Sequence, residues 1–227
     1  MKTTLRFCLV ACLLVTGCGA SSRLSRDAVQ AKLERAGIQF EYLILDKDGS
    51  IYLDLYGHLI HDLAPLRELP IRTLGLAHTG VEDISQLGGM QIQFLFVDHT
   101  TISDLAVIRS LPLKNLSVSH CPRVTSIAEL KGLEHLQTLN IAETSVSDLS
   151  PLDGMHLETL VFSPERITNG ISVIRSMGTL KNIGVMEVDE KGKDLIRESS
   201  PETFWGMYKA GNIYGKRLNK PSEETRK

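Results

Sequence analysis

A repeat of about 21 residues constrains this chain more than any other feature of its sequence. Six consecutive segments between residues 50 and 179, each 21 or 23 residues long, align with apolar residues at matching positions. From the second copy onwards the shared core has the spacing L-x-x-L-x-L: Ile71/Leu74/Leu76, Ile92/Leu95/Val97, Leu113/Leu116/Val118, Leu136/Leu139/Ile141 and Leu157/Leu160/Phe162. A unit this short cannot bury its own apolar face, so we expect successive units to stack and share one core.

Each unit is expected to form one short strand and a turn. Two inward positions separated by one outward position indicate a strand, and successive strands should pair in parallel at about 4.8 Å on the concave side. The chain then turns inward at an apolar residue in each copy: Val81, Ile102, Val124, Val146 and Ile167. Two residues later comes a short side chain that can accept a hydrogen bond from backbone N–H: Asp62, Asp83, Asp104, Ser126, Asp148 and Asn169.

This pattern resembles the leucine-rich repeat family in its short, internalin-like form, and "DLSPL" (148–152) is similar to repeats of many bacterial proteins. The resemblance covers residues 50–186. It implies an α/β repeat solenoid, a right-handed coil with a parallel concave sheet and short helical or irregular convex turns, capped at both ends. Proteins of this family mostly act as binding scaffolds whose ligands differ from member to member.

The segments that flank the repeats are expected to close the solenoid. Residues 25–49 predict an N-terminal cap made of a helix (25–37) and a strand (38–45). Residues 187–215 predict a C-terminal cap, in which a segment at 204–213 resembles the end of other "DLSPL"-type proteins and supplies Phe204, Trp205, Met207 and Tyr208. The tail, 216–227, is expected to be disordered.

The N-terminus predicts export. Lys2 and Arg6 precede a short apolar run (7–15), which is typical of a secretory signal rather than a membrane span. The "VTGC" at 15–18 resembles the lipobox of bacterial lipoproteins, which implies a signal peptide at 1–17, a lipidated Cys18 (with acyl chains such as palmitate) and a tether at 18–24. The alternative is an ordinary signal peptide that contains a cysteine. The lipobox places the chain in the bacterial cell envelope, on the periplasmic or cell-surface side, with the lipid as its only membrane contact.

Composition and cysteine content exclude two other classes. A formal net charge of −2 gives no electrostatic basis for binding nucleic acid. Cys121 is the only cysteine left after the signal and Cys18, so a disulfide framework within the chain is excluded. We expect Cys121 to be a buried, inert thiol.

Alignment of the repeats places three histidines in one column. His78, His99 and His120 occupy the same position in neighbouring copies, and Glu143 follows in the next. His and Glu suit zinc or copper, but a straight line of ligands surrounds an ion poorly, and a rim that tolerates polar residues also explains the column. We therefore assign no metal and no cofactor here. Clustered imidazoles would alternatively make ligand binding pH-sensitive.

Outward strand positions supply the other candidate site. The first and third copies carry aromatic side chains beside carboxylates at these positions: Tyr52, Asp54, Tyr56, Phe94, Phe96 and Asp98. Exposed aromatics are typical of protein-binding surfaces, although an inert sheet face has the same composition. No nucleophile elbow or catalytic triad emerges, and "DKDGS" (46–50) lacks the later ligands of a calcium loop.

The sequence thus favours a non-enzymatic scaffold that binds another protein or an envelope polymer on its concave face. The alternatives are a structural envelope lipoprotein without a dedicated ligand and, least favoured, a metal-binding or enzymatic role for the histidine column.

Overall fold

The structure is a computed structural model that describes residues 24–188, 194–213 and 216–217. The predicted signal peptide, the lipobox cysteine Cys18, nearly all of the tether and residues 218–227 lie outside the described residues. The boundaries predicted for these segments therefore remain predictions.

Nine strands form one sheet in which the spatial order follows the chain order. The strands are β1 (Tyr42–Leu45), β2 (Ile51–Asp54), β3 (Ile71–Gly75), β4 (Phe94–Phe96), β5 (Asn115–Ser117), β6 (Thr138–Asn140), β7 (Thr159–Val161), β8 (Asn182–Val188) and β9 (Asp194–Ser199). Strands β2 to β8 pair in parallel, whereas β1 and β9 pair antiparallel at the two edges. One strand per repeat, paired in parallel, confirms the predicted sheet and fits a leucine-rich-repeat solenoid.

The apolar columns of the repeats form a continuous core. The central residues Leu74, Leu95, Leu116, Leu139 and Leu160 lie directly opposite one another in successive strands, and all are fully buried. The inward turn residues and Cys121 join the same cluster. Burial raises the pKa of the Cys121 thiol, which keeps it protonated and unreactive.

The turns after the strands are fixed by the predicted short polar side chains. The Asp83 carboxylate accepts a hydrogen bond from the backbone N–H of Ser85 at 2.7 Å. Equivalent bonds of 2.7 to 3.1 Å are made by Asp62, Asp104, Ser126 and Asp148. A single turn of 3₁₀-helix follows each of them, at Ala64–Leu66, Ser85–Leu87, Ala106–Ser110, Ala128–Leu130 and Ser150–Leu152. In the sixth copy Asn169 differs, because its side-chain amide donates to Asp148 at 3.0 Å.

The N-terminal segment begins with α1 (Arg26–Arg35). The Ser25 hydroxyl accepts from the N–H of Ala28 and caps this helix, while Val29 and Leu33 are fully buried. Gly37 has a left-handed backbone (φ 70°) and turns the chain towards β1. The segment 25–45 thus contains one helix and one strand, and the strand is shorter than the alternating segment 38–45.

The C-terminal segment contains a hairpin that the repeat pattern did not predict. The repeat resemblance extends to residue 186, and β8 continues to Val188 and pairs with β9 over six residue pairs. A short helix, α2 (Ile171–Ser176), precedes this hairpin, and α3 (Pro201–Ala210) follows it. Phe204 and Tyr208 of α3 are buried.

Two further strands, β10 (Asn212–Ile213) and β11 (Lys216–Arg217), pair antiparallel at the end of the described chain. The first two residues of the tail predicted to be disordered are therefore in a strand. Within the described residues, no helix combines the length and apolar character needed to span a bilayer.

Candidate functional site

The outward face of the sheet consists of two registered rows of side chains. From Tyr52 onwards the parallel strands pair in one register, so residues at the same repeat position stand side by side. The first row is Ile44, Tyr52, Thr73, Phe94, Asn115, Thr138, Thr159 and Asn182. The second row is Tyr42, Asp54, Gly75, Phe96, Ser117, Asn140, Val161 and Gly184. We call the outward side of β1–β4 the open half and that of β5–β8 the covered half.

The open half carries an aromatic patch. It comprises Tyr42, Ile44, Tyr52, Tyr56, Phe94 and Phe96. Tyr42, Ile44 and Tyr56 keep 56%, 52% and 51% of their surface exposed, which is high for such large apolar side chains. Four of the six, Tyr52, Tyr56, Phe94 and Phe96, were candidates from the sequence, and the fold places all four on this surface.

Tyr42 and Ile44 were not among the candidates from the sequence. They belong to β1, which lies outside the repeats, and only its antiparallel pairing brings Ile44 beside Tyr52 and Tyr42 beside Asp54. Their signal was the alternation of the segment 38–45, whose outward positions could have been assigned to the same face.

The two candidate carboxylates are held by the protein itself. Asp54 accepts from the backbone N–H of Tyr56 at 3.0 Å. Asp98 accepts three hydrogen bonds through one oxygen, from the Ser117 hydroxyl and from both the N–H (2.9 Å) and the hydroxyl (2.5 Å) of Ser119. Because its bonds go to the next coil, Asp98 ties neighbouring repeats together.

The hairpin β8–β9 covers the other half of the face. Its Met186 forms a small buried cluster with Ala142 and Val161 on the outward side of the sheet. Gly184 lies so close to Val161 and Ile196 that a Cβ there would approach their methyl groups to 2.9 and 3.0 Å. Other outward residues of these coils, including Ser117, Ser119 and Ser163, are buried as well.

The histidine column lies at the rim, where each strand ends. His78, His99, His120 and Glu143 all adopt a left-handed backbone with φ of 53° to 55°, and Gly57 has the same role in the first coil. This conformation costs a residue with a side chain about 1–2 kcal/mol. The backbone N–H of each histidine donates to a carbonyl of the next coil at 2.9 to 3.0 Å. The repeated φ therefore extends the ladder beyond the strand and directs successive side chains the same way.

The imidazole rings form a stack. The centroids of His78 and His99 are 4.0 Å apart at an interplanar angle of 15°, and those of His99 and His120 are 4.1 Å apart at 9°. Tyr56 closes the first end with an edge contact to His78 at 5.0 Å, so the column adjoins the aromatic patch. Desolvation lowers the pKa of His78, and the neighbouring His99 lowers it further against the opposing effect of Asp98 and Asp194.

Glu143 aligns with the column but pairs elsewhere. Its carboxylate accepts from Arg166 at 2.8 Å and from the Ser163 hydroxyl at 3.2 Å. Pro164 takes the equivalent place in the sixth coil, and its ring forbids a positive φ, so the column ends there.

Asp194 of β9 joins the rim from outside the repeats. Its Oδ2 lies 3.4 Å from Nε2 of His99 and 3.5 Å from Nε2 of His120. Alignment of the repeats could not reveal this residue, because it arrives on the hairpin. The segment 194–199 has no alternation of apolar and polar residues, so nothing in its sequence indicated a strand at this position.

Together these features describe a stack of repeats whose sheet fits a leucine-rich-repeat solenoid, with an open aromatic patch, a covered half and a histidine rim. Among solved structures, internalin C2 from Listeria monocytogenes is similar to this chain, with 17% identity and a TM-score of 0.38 over 59% of this chain and 80% of that one. No family model and no curated protein matches the chain. The ligand of this solenoid is therefore inferred from its own surface.

Proposed function

We propose that this chain is an exported, non-enzymatic scaffold that binds another protein, or an envelope polymer, through the aromatic patch. The observation that supports this most directly is the contrast within the two outward rows. Tyr42 and Ile44 stand exposed in the open half, whereas Ala142 and Val161 in the covered half are buried with Met186 of the chain's own hairpin. A solenoid that needed only to fold would gain nothing from leaving one half uncovered.

The composition of the patch suits a protein interface. Tyrosine and phenylalanine contribute large contact areas with few rotatable bonds, and they are enriched at the centres of interfaces. Scattered exposed apolar residues are normal, but a group on neighbouring strands is a feature of binding surfaces. Tyr56 links this group to the histidine rim, so an occupant of the patch would also reach His78.

Lipidation at Cys18 would hold the scaffold at a membrane of the bacterial envelope. The lipobox at 15–18 supports this step, and each buried CH₂ of an acyl chain contributes about 0.8 kcal/mol to anchoring. Export and the lipid anchor belong to the proposal, since both depend on residues outside the described part of the chain.

We also propose that the flanking segments cap a right-handed coil. Burial of Val29 and Leu33 at one end, and of Phe204 and Tyr208 at the other, supports this role, because terminal coils of a solenoid would otherwise expose their core.

Photocrosslinking in the native envelope tests the binding proposal. The double variant Phe94→Ser/Phe96→Ser should reduce capture of a partner at least tenfold, since loss of a central aromatic contact costs about 2 kcal/mol or more. The matched control Thr138→Ser/Asn140→Ser changes the same rows in the covered half and should leave capture unchanged. Protease treatment of the captured species distinguishes a protein from a polymer.

Equal capture by the wild-type chain and the Phe94→Ser/Phe96→Ser variant would reject the patch as the binding site. Absence of any captured species would instead favour a structural lipoprotein without a dedicated ligand.

A further inference from the structure

The histidine rim and the hairpin together create a feature that neither has alone. Two imidazoles from adjacent coils and one carboxylate from β9 converge, so that one donor atom from each of His99, His120 and Asp194 lies within 4.8 Å of the others. We propose that these three residues bind a divalent first-row transition ion of the zinc type. This site is independent of the binding function proposed for the aromatic patch.

The separations match those of a tetrahedral ion. Zinc binds nitrogen and oxygen at about 2.0–2.2 Å, so neighbouring ligand atoms of a tetrahedron are about 3.3 Å apart. The observed distances from Asp194 Oδ2 to the two Nε2 atoms, 3.4 and 3.5 Å, are close to that edge. Two of the three ligand–ligand edges are thus present before any ion is bound.

Asp194 supplies the ligand geometry that the histidine column alone lacks. Three histidines in a line cannot surround one ion, because each added ligand is farther from a common centre. Asp194 lies to the side of the line and faces two adjacent rings at nearly equal distance. A triangle of donors, unlike a line, leaves one shared position that all three atoms can reach.

Binding requires a defined movement of the rings. The planes of His99 and His120 are within 9° of parallel, so rotation of these rings about χ2 is needed to direct both Nε2 lone pairs to one point. Both side chains are partly exposed, at 31% and 23%, which leaves room for that rotation. Metal binding should therefore break the stack between these two rings.

The donor set also selects the type of ion. Imidazole nitrogen with a single carboxylate suits zinc, copper, nickel and iron, whereas calcium and magnesium prefer oxygen ligands alone. Three protein ligands leave a fourth position, and with Asp194 34% exposed this position faces solvent. The site thus resembles open zinc sites, in which the fourth ligand is a water or an exogenous group.

Metal binding is expected to fix the position of the hairpin β8–β9 relative to the repeats. The ion would join β9 to the third and fourth coils, and it would hold the hairpin over the covered half of the sheet. A ligand that binds only the folded chain stabilises it in proportion to its occupancy, so the midpoint of thermal unfolding should rise with added metal.

Calorimetric titration with ZnCl₂ tests the site on tag-free full chain that has been freed of metal by a chelator. We expect one Zn²⁺ per chain, a rise in the unfolding midpoint, and at least tenfold weaker binding for both Asp194→Asn and His120→Asn. The matched controls Asp153→Asn, His135→Asn and His156→Asn alter exposed residues of the same types away from the rim, and they should bind Zn²⁺ as the wild type does. Circular dichroism confirms that each variant is folded.

The variant His78→Asn distinguishes a site formed by His99, His120 and Asp194 (the triangle) from a site formed by the histidine column. The triangle predicts nearly unchanged Zn²⁺ binding in this variant, whereas a column site would lose as much with His78→Asn as with His120→Asn. Unchanged affinity in Asp194→Asn, or no Zn²⁺ binding to the wild-type chain, would overturn the proposal. Binding of Ca²⁺ with the same affinity as Zn²⁺ would overturn the assigned ion type.

Discussion

The open and covered halves of the outward face share a backbone and differ only in what stands on it. Apart from the antiparallel edge strand β1, the strands of both halves pair in parallel, and the central leucines are fully buried. On the outward rows, however, Tyr52 and Phe94 give way to Thr138 and Thr159, and the hairpin β8–β9 shields the later coils. We infer that the residues shared by all copies specify the solenoid. The outward residues that differ between copies, together with the hairpin, specify where it can bind.

The largest expected effect comes from two glycines that occupy the second row, one in each half. Gly184→Val places a methyl-bearing Cβ against Val161 and Ile196, whose methyl groups lie 2.9 and 3.0 Å from the ideal Cβ position. Val161 is almost fully buried and cannot move away, so this overpacking should lower the free energy of unfolding by about 1–3 kcal/mol. Chemical denaturation measures the change.

Gly75→Val provides the matched comparison in the open half. A Cβ at this position meets only the Asp54 side chain, at 2.5 Å from Oδ1. That carboxylate can turn towards solvent, with loss of its hydrogen bond to Tyr56, at a cost of about 0.5–1.5 kcal/mol. Equal destabilisation by the two substitutions would show that the hairpin does not pack tightly on the covered half.

The turns that follow the strands make the same backbone hydrogen bond in both halves. Asp104 and Asp148 accept the same backbone hydrogen bond at 2.7 Å, one in the third coil and one in the fifth. Replacement of either by alanine leaves a backbone N–H without its partner and should cost about 0.5–2 kcal/mol. Denaturation midpoints should fall for both variants, and further for Asp148→Ala, because the Asp148 carboxylate also accepts from the Ser150 hydroxyl and the Asn169 amide. A larger fall for Asp104→Ala would contradict this order.

The same turn predicts a dependence on pH. The backbone N–H of Ser150, followed by its hydroxyl and the Asn169 amide, holds the pKa of Asp148 below its ordinary value of 3.8. Because the pKa is lower in the folded state, this stabilisation is present above pH 3.8 and is lost as the pH falls through the depressed value. The stability difference between wild type and Asp148→Ala should accordingly shrink in strong acid.

Repetition explains how much of the fold the sequence could predict. The inward triplets and the turn aspartates recur at the same repeat positions. An ambiguous assignment in one copy is therefore resolved by the other copies, and the sheet, core and turns could be predicted from the alignment. The hairpin occurs once, and no repeated or alternating pattern in its second strand, 194–199, says where it packs.

For the candidate site, too, residues within the repeats could be predicted and residues outside them could not. Phe94, Phe96 and the histidine column were found because alignment of the repeats places them on one face. Asp194, Tyr42 and Ile44 were missed because tertiary contacts of unrepeated strands bring them there. Asp98 was also found as an outward residue of the third copy. Its hydrogen bonds from Ser117 and Ser119 of the next coil could not be predicted, because they depend on side-chain distances.

The smallest expected effect concerns exposed ion pairs, one beside each half. Arg109 pairs with Glu129 at 2.7 Å, and Lys181 pairs with Glu158 at 2.9 Å, with both cations more than half exposed. Solvent screens such pairs, so Arg109→Gln and Lys181→Gln should each lower the free energy of unfolding by no more than about 1 kcal/mol. This small loss should disappear in about 1 M NaCl, where the screening length falls to about 3 Å. The halves otherwise differ only in their outward rows and their cover. A larger loss of unfolding free energy that persists in salt, for either variant, would show that they also differ in the contribution of surface charge to stability.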